Sequence, residues 1–240
     1  MKPENSISAM ENSDVNQEMK SKKIVKTLII LYLLISITCM CLFQNKILVT
    51  ITALIQIGFA LFIFAKSKGI ITFDYATKSS QPSLFFPLLI PIVALFATGI
   101  IDITILDYSM FWFPFGIWLV LYMLVVIWLI IKNKRKQNAA SYVTSVILGA
   151  AFSFGITINS NQIPIFNSNE QYKTQITDKW AIEGRNTTYH FMLSPCGPYK
   201  NITSIKVFLN EYEIFTPGDS ITIAYNSGLY NIPYIKLVNQ

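Results

Sequence analysis

Five long apolar stretches, at 24–43, 47–65, 84–104, 111–131 and 139–158, constrain what this chain can fold into more than any other feature. A helix that crosses a bilayer needs about 20 apolar residues, because the hydrocarbon core is about 30 Å thick and each residue rises about 1.5 Å. The first four stretches meet that requirement plainly. The fifth is less apolar and carries Ser141, Ser145, Gly149, Ser153 and Gly155. Small residues let helices approach closely where lipid supplies no hydrophobic drive for association. That stretch is therefore expected to be an inner helix of the bundle. The expected fold class is an α-helical integral membrane protein with five transmembrane helices and a small C-terminal antiparallel β domain.

Charge placement predicts direction. Only 13% of residues are charged, against about 25% in soluble domains. From Glu170 onward six basic residues are matched by six acidic ones, so the net charge of +6 belongs to the rest of the chain. Lys20, Lys22, Lys23 and Lys26 open the first stretch, Lys66, Lys68 and Lys78 follow the second, and Lys132, Lys134, Arg135 and Lys136 follow the fourth. Counting Lys2, twelve of the thirteen basic residues outside the C-terminal segment fall on one side; Lys46 is the exception. The positive-inside rule makes that side cytoplasmic. The N-terminus is then inside and, after five crossings, the C-terminal segment is extracytoplasmic, in the cell inner (plasma) membrane. If the fifth stretch failed to cross, the segment would be cytoplasmic instead. The basic charge reports orientation, so no nucleic-acid partner is expected.

Residues 1–23 are polar without apolar periodicity and read as a disordered cytoplasmic tail. No short apolar core with a cleavage site follows, so the first helix is expected to act as its own insertion signal. Residues 159–170 read as a linker rich in Asn, Ser and Pro. Within 171–240, the runs 187–193, 203–209 and 220–225 alternate apolar and polar residues, and a further run spans 232–237. That period of two is the strand signal. Pro195-Cys196-Gly197-Pro198 and Pro217-Gly218-Asp219 supply turns between them. A sheet or barrel of about five or six strands fits this length.

The stretch from Ser83-Leu84-Phe85-Phe86-Pro87 through Pro91, Ala94-Leu95 and Ile101-Asp102 to Ile105-Leu106-Asp107-Tyr108 resembles bacterial multi-pass membrane proteins with a short outer domain. In the matching outer region stand Tyr212, Gly218-Asp219 and Gly228-Leu229. Asn231 replaces a usual second Gly, Tyr234 lies near a usual Trp, and Cys196 takes the place of a Trp. The resemblance implies the architecture and singles out Tyr212 and Asp219. It carries no activity with it.

Few residues point to chemistry. Asp102, near the outer end of the third stretch, would suit an ion path; hydration or loop capping with Asp107 accounts for it more simply. Gln56 lies in the middle of the second stretch, where a polar side chain usually joins helices by a hydrogen bond. His190 is the single histidine and has no nucleophile placed beside it. Glu211 and Glu213 are expected on one solvated face of a strand. Asn186-Thr187-Thr188 and Asn201-Ile202-Thr203 match the glycosylation pattern but read better as turns. Phosphate-loop, dinucleotide, zinc-protease and nucleophile-elbow motifs are absent, and no cofactor or metal is expected. The expected role is therefore non-enzymatic, with the bilayer and a protein or cell-envelope component as partners. The alternative is a transporter or channel subunit in which Asp102 and Gln56 line a polar path.

Overall fold

A computed structural model describes residues 4–42, 46–67, 70–73, 82–100, 103–132, 139–163, 170–184, 187–197 and 204–238. The elements are α1 (Glu4–Leu42), α2 (Lys46–Lys66), α3 (Phe85–Ile100), β1 (Thr104–Ile105), α4 (Trp112–Lys132), α5 (Ala139–Asn161), β2 (Glu170–Ile182), β3 (Thr188–Leu193), β4 (Ser204–Val207), α6 (Leu209–Ile214), β5 (Ser220–Asn226) and β6 (Tyr234–Leu237). They form two compact units, 1–96 with 117–155, and 97–116 with 156–240.

Three helices, α2, α4 and α5, are long and apolar enough to cross a membrane. The expectation of five is not met by the described residues. At 16 residues α3 is shorter, about 24 Å at 1.5 Å per residue. It ends at Ile100, not at position 104, because Thr104 and Ile105 are paired as a strand. The first apolar stretch is the second half of α1, which begins at Glu4 rather than in the twenties. The polar segment after Pro3 holds neither Gly nor Pro as far as Lys23, so nothing breaks a helix there.

In the first unit the helices pack as the sequence anticipates. Ser141, Ser145, Gly149 and Ser153 recur every fourth residue along α5 and are all buried. Ser145 and Ser153 donate their hydroxyls to the carbonyls of Ser141 and Gly149, so they need no outside partner. A Cβ at Gly149 would fall 2.6 Å from the Tyr122 ring of α4. One at Gly155 would fall 3.0 Å from Leu95 of α3. Thus α5 is in close contact with both neighbours, and it is the most buried of the three long helices. Ile51, Ile55, Phe59 and Phe62 of α2 and Val120, Leu121, Leu124 and Ile131 of α4 remain exposed.

The second unit is a six-stranded antiparallel sheet in the order β1-β6-β5-β2-β3-β4. Laid flat, its edge strands would lie about 24 Å apart at about 4.8 Å per strand. Instead the Lys206 N–H of β4 donates to Thr104 Oγ1 of β1 at 3.3 Å, so the sheet curls into a barrel whose edge strands meet through this side chain, with no β1–β4 backbone ladder among the described residues. The long β2 makes this closure: residues 170–175 pair with β5 and residues 176–182 pair with β3, with a bulge between Ile176 and Asp178. Bulges bend and twist a strand as barrel corners require. Ile176, Phe191, Leu193, Ile205, Ile221 and Ile223 are among the side chains that fill the interior.

Closure also settles the edges. The edge of β4 is partly occupied: besides Lys206, the Phe208 N–H is taken by the Glu211 carboxylate at 2.9 Å. Side chains that occupy edge donors block pairing with another chain. Glu211 and Glu213 lie on the helix α6, not on a strand.

At the other end of the barrel the last turn of α5 carries a run of buried polar residues, Asn159, Ser160, Asn161 and Gln162. The Asn- and Ser-rich composition predicts a linker over 159–170, but α5 runs on through Asn161; residues 164–169 lie outside the described residues. Gln162 Nε2 donates to the Gly99 carbonyl at 2.7 Å, which satisfies an acceptor in the last turn of α3. The Asn161 amide donates to the Ile232 carbonyl and accepts from the Tyr230 N–H, both at 2.9 Å. The Asn161 carbonyl accepts from Leu229 N–H at 3.2 Å. Asn231, in the clamped turn, has φ of 54°, which Gly and Asn adopt more readily than other residues.

Candidate functional site

Tyr212 and Asp219 are brought together by a residue the sequence did not single out. Lys179 lies after the β2 bulge, opposite Phe191 in register, on the inward side of the strand. Its ammonium donates to the Tyr212 carbonyl at 2.9 Å and the Phe215 carbonyl at 3.0 Å. These are carbonyls at and just beyond the end of α6, where a helix lacks internal donors and carries partial negative charge. The same ammonium lies 4.6 Å from the Tyr212 ring centre, a cation–π contact. Tyr212 in turn packs on Tyr189 and Phe191 and plugs the barrel end. Lys179 carried no sequence signal, because the bulge hides which face it occupies.

Asp219 closes the turn before β5. It accepts from the Thr216 N–H at 2.6 Å and the Thr216 hydroxyl at 3.0 Å. These bonds, with the nearby Lys179 charge, hold its carboxyl below the usual range. Asp107 does the equivalent in the loop before α4, accepting from the Ser109 N–H at 2.8 Å and its hydroxyl at 2.7 Å, with its carboxyl likewise lowered. Both carboxylates are turn-formers. Asp102 lies outside the described residues, as does the sequence 201–203.

His190 stacks on Trp180 with ring centres 5.4 Å apart and planes within 10°. Partial burial, and then the Lys206 charge across the strand, lower its affinity for a proton. A group whose folded pKa lies below its unfolded value contributes stability above the unfolded pKa, and that stability is lost as pH falls through the folded one. The barrel is therefore expected to melt at lower temperature as pH drops below about 6.5. The drop should steepen at more acid pH, where Asp219, held below the usual carboxylate range by its Thr216 bonds, takes up its proton. Melting curves of His190→Gln should lack the first step; if they keep it, another group is responsible.

Gln56 is buried in α2 against α1. Its backbone carbonyl accepts from the Tyr32 hydroxyl at 2.7 Å and its Oε1 accepts from the Ser36 hydroxyl at 3.3 Å. Its Nε2 has no partner among the described residues. The side chain joins two helices, as the simpler reading expected. Replacing both members of a buried hydrogen-bonded pair by apolar groups of similar shape costs little. Gln56→Leu combined with Ser36→Ala is expected to leave the melting temperature of the detergent-purified chain unchanged or raised by a few degrees. A clear fall would show that Gln56 Nε2 has a partner essential to the fold.

No grouping of three or more His, Cys, Asp or Glu side chains among the described residues could hold a metal ion. The Lys179 ammonium beside Tyr212 is engaged by two carbonyls, and the Asp219 carboxylate by Thr216. Comparison of the chain with protein families, with curated proteins and with solved structures returns no match.

Proposed function

We propose that this chain is a multi-pass inner-membrane protein that crosses the bilayer five times, holds its N-terminus in the cytoplasm, and presents the barrel outside for a protein or envelope partner. The observation that carries this reading is the pairing of β1 with β6. β1 belongs to the connection between α3 and α4, whereas β6 ends the chain. Strands that pair lie on one side of a membrane. The α3–α4 connection and the C-terminal segment therefore share a side, which requires α4 and α5 to cross together or not at all. Both are long enough, and their exposed apolar side chains favour lipid over water. The α3–α4 connection contains Asp107 and no basic residue, which favours the outer side. Lys132 and its neighbours after α4 favour the inner one.

A non-catalytic role is the reading that fits the engaged Lys179 and the turn-forming carboxylates. The transporter alternative draws no support from Gln56, whose hydrogen bonds run to α1.

Accessible thiols test the topology. In a chain with Cys196→Ser, Met110→Cys and Lys236→Cys should both react with a membrane-impermeant reagent in cells whose outer barrier is permeabilised. Lys132→Cys should react only after lysis. Labelling of Lys132→Cys in intact cells, or protection of Met110→Cys, would sink the proposed orientation.

A further inference from the structure

We infer that the outward face of β2, β3 and β4 is a homodimer interface, docking on the same face of a second copy about a two-fold axis along β3. Antiparallel register lines the outward side chains into rows. The central row is Trp180, His190 and Lys206. Toward the β2–β3 turn lie Ile182 on β2 and, just past β4 in extended conformation, Phe208. On the other side Asp178 stands beside Met192, and Met192 beside Ser204. The solvent face of an antiparallel sheet is ordinarily polar. Here Ile182, Met192 and Phe208 are 56%, 40% and 47% exposed, a patch that calls for a cover.

Charge decides what covers it. Asp178 and Lys206 stand on opposite outer strands, so the complementary surface needs an acid over β4 and a base over β2. Rotating the face about β3 supplies that surface, because it lays β2 of one copy over β4 of the other. Ile182 then meets Phe208, the Trp180 ring meets Lys206 in a cation–π pair, and Asp178 lies one row from the same Lys206. Rotation about an axis across the strands would instead press Asp178 onto Ile182 and bury an unpaired carboxylate. Only the axis along β3 keeps the α5 ends of both copies at one end of the dimer, as entry into a single bilayer requires. That last argument rests on the membrane reading above; the charge argument does not.

The face spans three strands and three rows, about 300 Å² per copy from strand and residue spacings. A stable soluble dimer needs about 800 Å² per partner. The contact therefore forms where the bilayer confines the chain and raises its effective concentration, and is lost on dilution in detergent.

The test is photo-crosslinking of the full-length chain in native membranes with p-benzoylphenylalanine. Met192→p-benzoylphenylalanine, near the axis, should give an adduct of twice the chain mass. The same residue at the exposed Lys173, which pairs toward β5, should give none. Lys206→Glu should cut the dimer adduct at least fivefold, and adding Asp178→Lys should recover it. No double-mass product at Met192, adducts only with another protein, or indifference to Lys206→Glu would overturn the interface. A dimer adduct together with wrong-sided thiol labelling would leave the interface standing and remove the outward placement.

Discussion

Gly228→Ala is expected to lower the melting temperature of the barrel sharply. Gly228 has φ of +66°, a left-handed conformation that costs other residues about 1 kcal/mol. The larger effect is steric. A Cβ there would fall 2.3 Å from the Asn161 carbonyl oxygen and 2.4 Å from its side-chain Cγ and Nδ2. The carbonyl is backbone in the last turn of α5 and cannot swing aside. Relief requires separating the turn from Asn161, which gives up the bonds to Leu229, Tyr230 and Ile232. At about 1 kcal/mol each, with the backbone cost, the loss is about 4 kcal/mol. Domain stabilities are only about 5–15 kcal/mol. In a unit of about 100 residues each kcal/mol moves the melting temperature by about 4–8 °C. A fall of at least 15 °C, read as early proteolysis of the C-terminal segment on heating, is the expected result. Gly58→Ala, where a Cβ meets nothing within 4 Å, should leave the melt unchanged. A Gly228→Ala barrel that melts within a few degrees of the parent would show that the clamp contributes little.

Phe191→Ala should cost about as much by a different route. Phe191 is fully buried on β3, flanked by Tyr212 and Phe215 at the capped end. Truncating a buried Phe removes its transfer free energy and leaves a cavity, together about 3–5 kcal/mol. The cavity would open beneath Tyr212, so the α6 cap and its Lys179 contacts should loosen first. Phe191→Leu should recover more than half of the loss. The measurement is protease sensitivity of residues 209–219 at a fixed temperature. Equal resistance in Phe191→Ala and the parent would place Phe191 outside the barrel core.

These two sites show how differently parts of the fold are written in the chain. The alternation in 203–209 corresponds to β4 only as far as Val207, because Leu209 opens α6; that in 187–193 and 220–225 corresponds to β3 and β5, which keep one register and turn one face inward. β2 does not. Tyr172, Thr174 and Ile176 face one way before the bulge, and Lys179 and Ala181 take over that side after it. A one-residue slip exchanges the two faces of a strand, so no single period runs through 170–182 and the longest strand escapes a pattern search. α6 is six residues long, too short for a helical period to stand out. Of the candidate residues, Gln56 was legible as a helix-to-helix contact, whereas the meeting of Tyr212 with Asp219 depended on Lys179.

The sequence by itself determined where apolar helices form, where basic charge accumulates and which short runs can be strands, because hydropathy, charge and alternation are local properties. Tertiary structure alone decided that Thr104 leaves the third apolar stretch and, with Ile105, joins the barrel, that Asn161 clamps a turn seventy residues away, and that Lys179 points inward. Each of those outcomes rests on backbone groups finding partners distant in the chain, and no local pattern records which partner a carbonyl or an N–H will find.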